Sequence, residues 1–154
     1  ESTAMIGRMH LRAAIVSGLV AGAGYVATAE ADNRITDVNL DDLKMLGWPL
    51  VDDKSRAKVV GLGPHLAFSV GLACVFGVVR GILPKRGWVA GAAFALTEGT
   101  VLYPVALLEN RHPGIRSGAI DRYLTLNAYL QSLPRHLTYG ITMGALYDRI
   151  AGRR

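Results

Sequence analysis

Apolar and polar positions along this chain are segregated, not interleaved. Four stretches, at about residues 10–29, 59–79, 87–108 and 135–150, are rich in apolar and small residues, and most of the charge falls between them. A soluble domain of this length keeps one wet face on each helix and so spreads charge along every element. The blocks seen here predict helices surrounded by lipid. At 1.5 Å per residue, about twenty residues cross a ~30 Å hydrocarbon layer. The second and third stretches reach that length and the first is marginal. The fourth spans only with Asp148 and Arg149 among the headgroups.

The second and fourth stretches read as copies of one another. "HLAFSVGLACVFGVV" from His65 lies over "HLTYGITMGALYDRI" from His136, with Phe68 against Tyr139, Leu72 against Met143 and Phe76 against Tyr147. At helical spacing each copy has a bulky stripe headed by its histidine. Each also has a small stripe, Ser69, Ala73 and Gly77 in one and Gly140, Gly144 and Asp148 in the other. Small residues four apart let helix backbones approach closely, which drives association where lipid removes the hydrophobic drive. Gly18 and Gly22 in the first stretch, and Gly87, Gly91, Ala95 and Gly99 in the third, supply the complement. A weaker echo links "YVATAEADNR" with "YPVALLENR". The predicted fold is therefore all-α, a single integral membrane domain in which two similar hairpins form a four-helix bundle about a pseudo-twofold axis.

The longer connections predict two short outer amphipathic helices. One, at about 38–46, is capped by Asp37 or Asn39 and stopped by Gly47. The other, at about 118–132, starts near Ser117 and ends at Pro134. Both are expected to lie along the outer leaflet, with Trp48 and Trp88 near opposite interfaces.

The 154 residues carry a formal net charge of +5 and are 51% hydrophobic. A basic chain invites nucleic acid as a partner, but no basic stripe with interleaved aromatics occurs, and that class is set aside. The basic residues sit at helix ends instead. Arg8 and Arg12 precede the first helix, Arg80, Lys85 and Arg86 fill the second turn, and Arg149, Arg153 and Arg154 close the chain. In an up-down-up-down arrangement all lie on one side, which predicts both termini in the cytoplasm. The first stretch also has the layout of a cleavable export signal, with a basic start and an "ATA" or "AEA" end. The later apolar stretches give it partners, so it is read as a resident helix.

A Gly/Ala-rich first helix, the run "GPHLAFSVGLACVFGVVRGI", a proline-interrupted third helix and the closing "RHLTYGITMGALYDRI" occur together. The last includes Tyr139, Gly140, Gly144 and Tyr147. This combination resembles the YagU-like group of small four-helix bacterial membrane proteins over nearly the whole chain. The resemblance implies a fold and a place in a bacterial inner membrane, and no activity. The long acidic first outer loop departs from the group's compact pattern.

Glu98 is the sharpest chemical anomaly, because an ionisable group about eleven residues into a spanning helix is costly and marks an ion or proton site by default. The competing reading is a neutral carboxyl hydrogen-bonded to Ser17, Tyr25, Thr97 or Thr100 for packing specificity. His65 and His136 form a second candidate. Facing one another, two imidazoles ligate a haem iron, and one alone binds the magnesium of a chlorophyll-type pigment; as interface histidines they bind nothing. Glu30, Asp32 and Arg34, with Glu109 and Arg111, form an outer polar rim, either a mouth for ions or a solvated edge. The lone Cys74 excludes a multi-cysteine metal site. Phosphate loops and nucleophile triads are not recognisable, which favours a non-enzymatic role without excluding an enzyme, since membrane enzymes need not display short motifs. The leading expectation is a structural or accessory subunit of a larger membrane assembly, beside a membrane-protein partner or further copies of itself. The alternatives are a small oligomeric transporter or channel with Glu98 in its path, and a haem- or pigment-binding protein.

Overall fold

The computed structural model describes residues 9–36 and 40–152, the side chain of Val105 apart. All regular structure among the described residues is helical. In chain order it comprises α1 (Leu11–Asp32), α2 (Asp42–Gly47), α3 (Ala57–Val79), α4 (Gly87–Leu102), α5 (Pro113–Arg116) and α6 (Leu126–Ile150), joined in part by 3-10 turns. α1 lies between α3 and α6, and α4 packs on another face of α6. α3 and α4 do not run packed together; the rings of Phe76 and Phe94 meet edge to face at 5.5 Å and close the gap between them at one level.

The close seams fall on the small residues the sequence singles out. A Cβ added at Gly18 would lie 2.8 Å from the Cα of Val70, and one at Gly22 would lie 2.7 Å from the Ser69 hydroxyl. Between α4 and α6, a Cβ at Gly91 would run into the Gly140 carbonyl, and one at Gly144 into that of Gly87. Ala95 is buried at the same seam. Ser69 and Ala73 on α3 thus do for α1 what Gly140 and Gly144 on α6 do for α4. The bulky stripe of α6 (Tyr139, Met143, Tyr147) joins Phe76 in the buried core.

Among the described residues, α1 and α3 are long and apolar enough to cross a membrane. Only 33% and 22% of their most apolar windows are buried within the chain, against the grain of a water-soluble core helix. Leu11, Val20, Val59, Phe68 and Val75 all face outward on these two helices. α4 differs from the expected span at 87–108. Its α-helix is 16 residues long, about 24 Å, and the chain continues from Tyr103 to Arg111 as 3-10 helix after Pro104 removes a donor. α6 is long but carries Arg135, His136, Asp148 and Arg149, which lowers its hydropathy.

The starts of α1 and α4 and the ends of α3 and α6 share one end of the molecule. There Arg80, buried just past the end of α3, donates through Nε and a terminal nitrogen to both oxygens of Asp148 on α6, at 2.8 and 2.5 Å. It also donates to the carbonyls of Pro84 and Lys85. The His10 amide donates to the Tyr147 hydroxyl. Arg12, Lys85, Arg86 and Arg149 gather at this end; Arg8, Arg153 and Arg154 lie outside the described residues.

At the opposite end the connections differ from expectation. The cap of α2 is Asp41, whose side chain accepts the Lys44 amide proton; Asp37 and Asn39 lie outside the described residues. α2 is seated on α3 so closely that a Cβ on Gly61 would strike the Leu43 carbonyl. The amphipathic helix expected at 118–132 does not form separately. Its second half is the first turns of α6, which starts behind a Thr125 cap and passes straight through Pro134. Pro134 is the ninth residue of α6, past the first turn where a missing N–H costs nothing, so it removes one backbone hydrogen bond from the helix interior. Here the Ser132 hydroxyl donates to the Tyr129 carbonyl just before it. Pro64 is likewise inside α3.

Candidate functional site

The gap between α3 and α4 opens into a cavity of about 370 Å³. α1 and α6 form its floor through Tyr25, His136 and Tyr139, and α2 closes it from above with Met45 and Leu46. Pro64, His65, Phe68 and Leu72 of α3 make one wall, and Glu98 of α4 stands on the other. A second lobe of about 480 Å³ shares Tyr25, Asp42, Phe68, Glu98 and His136, and reaches Leu102, Tyr103 and Arg135. Phe68 and Leu102 are exposed at the edges of the gap. The walls are apolar and a few polar groups converge on the floor, the usual character of a small-molecule site.

Glu98 meets His136 here, its Oε2 3.7 Å from Nε2. Gly99 makes room for this ring, since a Cβ there would come within 2.7 Å of it. None of the four hydroxyls expected to bond Glu98 does so. Ser17 donates to the Ala14 carbonyl, Tyr25 to Asp42, Thr97 to the Ala93 carbonyl, and Thr100 pairs with Tyr129. Tyr139, also beside Glu98, donates to the Ser69 carbonyl at 2.6 Å.

His65 and His136 both border the cavity, but they do not face each other. The Tyr25 ring stands between them, 5.3 Å from one imidazole centroid and 5.5 Å from the other. His65 Nε2 lies 3.3 Å from the Gly22 carbonyl and His136 Nδ1 lies 2.9 Å from that of Ser132. This arrangement offers no opposed pair of nitrogens to a haem iron. No group of three metal-ligating side chains occurs among the described residues.

The outer rim residues go to three places. Glu30 pairs with Lys58 at 2.5 Å. Asp32 binds Arg135. Glu109, buried, accepts the amide protons of Tyr123 and Leu124 and pairs with Arg122. Arg34 and Arg111 are exposed. They do not form one mouth.

The residue that organises this end is Arg135, which the sequence reading missed. It is 1% exposed and donates to Asp32 at 2.8 Å, Asp42 at 3.1 Å, the Leu40 carbonyl at 3.0 Å and Asn33 at 2.9 Å. The Tyr25 and Tyr123 hydroxyls also donate to Asp42, at 3.0 and 2.9 Å. Burial, reinforced by the Asp42 charge, holds the Tyr123 phenol well above its ordinary range. α1, α2, the α5–α6 connection and α6 are thus tied together behind the cavity. The signal was available: Ala128, Gln131, Arg135, Tyr139, Met143 and Tyr147 lie on one continuous buried stripe of α6.

Compared with models of known families, with curated proteins and with solved structures, the chain matches none.

Proposed function

We propose that this chain is a small integral membrane protein of two related helical hairpins, α1–α3 and α4–α6, that binds a lipophilic small molecule in the cavity between α3 and α4. The cavity carries this reading, because its walls are apolar, its opening lies between two long helices and its floor holds a carboxyl–imidazole pair. The exposed apolar faces of α1 and α3 support a bilayer setting. The basic residues at one end support cytoplasmic termini, and the likeness to the YagU-like group supports a bacterial inner membrane. In this setting α4 and α6 cross beside α1 and α3, with their polar groups turned inward, as intramembrane ionisable residues generally are.

Two measurements test it. The protein should stay with the membrane through an alkaline wash. Purified in mild detergent, it should carry a small lipophilic molecule visible by native mass spectrometry, and Leu46→Trp, which fills the cavity from its wall, should release it. A wild-type chain that carries nothing, and takes up nothing from extracted membrane lipids, refutes the reading.

A second reading, an accessory or self-associating subunit, is favoured by the outer face of α3. Gly63 and Gly71 there have no atom within 4 Å of a would-be Cβ, and Ala67 between them is exposed. Small residues four apart on a bare face fit close contact with another helix. Gly63→Leu and Gly71→Leu should then lower the oligomeric state or strip a copurifying partner; an unchanged elution profile argues against it.

A further inference from the structure

Resting on the cavity reading, we infer that the ligand of this site is a lipophilic primary or secondary ammonium, whose N–H groups bridge Glu98 and His136. One hydrogen bond fixes the tautomer of His136. Its Nδ1 lies 2.9 Å from the Ser132 carbonyl, and a carbonyl only accepts, so Nδ1 carries the proton. In the neutral ring Nε2 is then a bare lone pair. It faces the Glu98 carboxyl at 3.7 Å, which sets an acceptor opposite an acceptor. Every phenol in reach is already committed, Tyr25 to Asp42 and Tyr139 to the Ser69 carbonyl. The site therefore lacks a donor.

Charge points the same way. Asp32 and Asp42 share the single guanidinium of Arg135, and no lysine or arginine pairs with Glu98 among the described residues. With neutral histidines, three carboxylates face one positive charge, and low-polarity surroundings favour taking up another. Either a proton or a ligand cation meets that need. An ammonium nitrogen at an ordinary ~2.9 Å from both Oε2 and Nε2 fits across their separation, and its apolar body then has Phe68, Leu72 and Met45 to lie against. The Tyr25 and Phe68 rings border the same space, and aromatic faces attract cations. Proton and ligand compete for one position. The groups facing Glu98 are Tyr25 of α1, Asp42 of α2, His65 of α3, and His136 and Tyr139 of α6, with Arg135 behind Asp42.

The test uses the full chain in an uncharged mild detergent and two fluorescent probes of the same shape, naphthylmethylamine, protonated at neutral pH, and naphthylmethanol. The amine should bind at least about tenfold more tightly, as expected for charge-assisted hydrogen bonds. Acidification from about pH 8 to about pH 5 should weaken the amine and leave the alcohol unchanged, because the amine stays protonated while the site takes up protons. Glu98→Gln should bring the amine down to the affinity of the alcohol, with an unchanged thermal melt as the control for folding. Equal affinities in the wild type, or a preference that survives Glu98→Gln, overturn the inference and leave the cavity standing. If neither probe binds, both the inference and the cavity reading fail.

Discussion

Replacing Arg135 by Met tests the polar anchor behind the cavity. Met keeps an unbranched apolar stem but lacks the guanidinium and every donor, so Asp32 loses its guanidinium, Asp42 keeps only the two phenols, and the Leu40 carbonyl and Asn33 lose contacts at 3.0 and 2.9 Å. Arg135 is 1% exposed, so water does not readily replace it. Removing one partner of a buried ion pair costs ~3–5 kcal/mol, most of it from the charge left behind. For a chain of this size each kcal/mol moves the midpoint by roughly 2–4 °C, so the drop in Tm should be about 6–20 °C. The assay is a thermal melt in detergent followed by circular dichroism. The cause is isolated by adding Asp32→Asn and Asp42→Asn to Arg135→Met, which removes the orphaned charges and should restore part of the loss. A single variant that melts within two or three degrees of the wild type would refute the claim that this guanidinium holds α1, α2 and α6 together.

The other predictions concern the seams and the ends. Gly91→Ala drives a Cβ into the Gly140 carbonyl and should cost ~1–3 kcal/mol as overpacking. Gly71→Ala, with open space around it, should be neutral or slightly stabilising, by up to ~1 kcal/mol; parallel melts separate the two. Arg80→Met orphans Asp148 and should cost ~3–5 kcal/mol, whereas the joint change Arg80→Met with Asp148→Leu should recover most of it. Tyr123 has a folded-state pKa above its unfolded value, so its contribution is intact below about pH 10 and is lost as pH rises beyond that, where the unfolded phenol ionises. Tyr123→Phe should flatten the alkaline fall in Tm between about pH 9 and about pH 11, and an unchanged slope would rule that group out as its source.

The parts of this fold legible in the sequence are those set by spacing alone. Gly18, Gly22, Gly91, Ala95, Gly140 and Gly144 announced the seams, because only small residues four apart permit such approaches, and those approaches are present. The long helices α1 and α3 followed from apolar length. What stayed hidden depended on direction and on distant partners. Pro134 reads as a stop in one dimension, yet Thr125 caps the helix early enough that the proline falls in its third turn. Ending one helix there and starting the next at Arg135 hid the buried stripe that runs unbroken from Ala128 to Tyr147. Glu98 stood out as an anomaly, but its hydroxyl neighbours in sequence and on α1 are bonded elsewhere, and the imidazole that meets it comes from α6, the other arm of its own hairpin and 38 residues further along the chain. The rim failed for a similar reason: acidic residues at helix ends were grouped by position, while each goes to the nearest available cation or amide.

On the proposed reading, the sideways opening between α3 and α4 would set how the site is supplied. With the helices upright in a bilayer, the mouth would meet the acyl chains, and a ligand would arrive by diffusing within the membrane plane. Each buried methylene favours lipid over water by ~0.8 kcal/mol, and an oily amine is therefore enriched there by orders of magnitude over the aqueous phase. Occupancy would then follow the amount dissolved in the membrane, and a pocket of modest intrinsic strength would fill at trace aqueous levels. A pore through the long axis would forgo that enrichment.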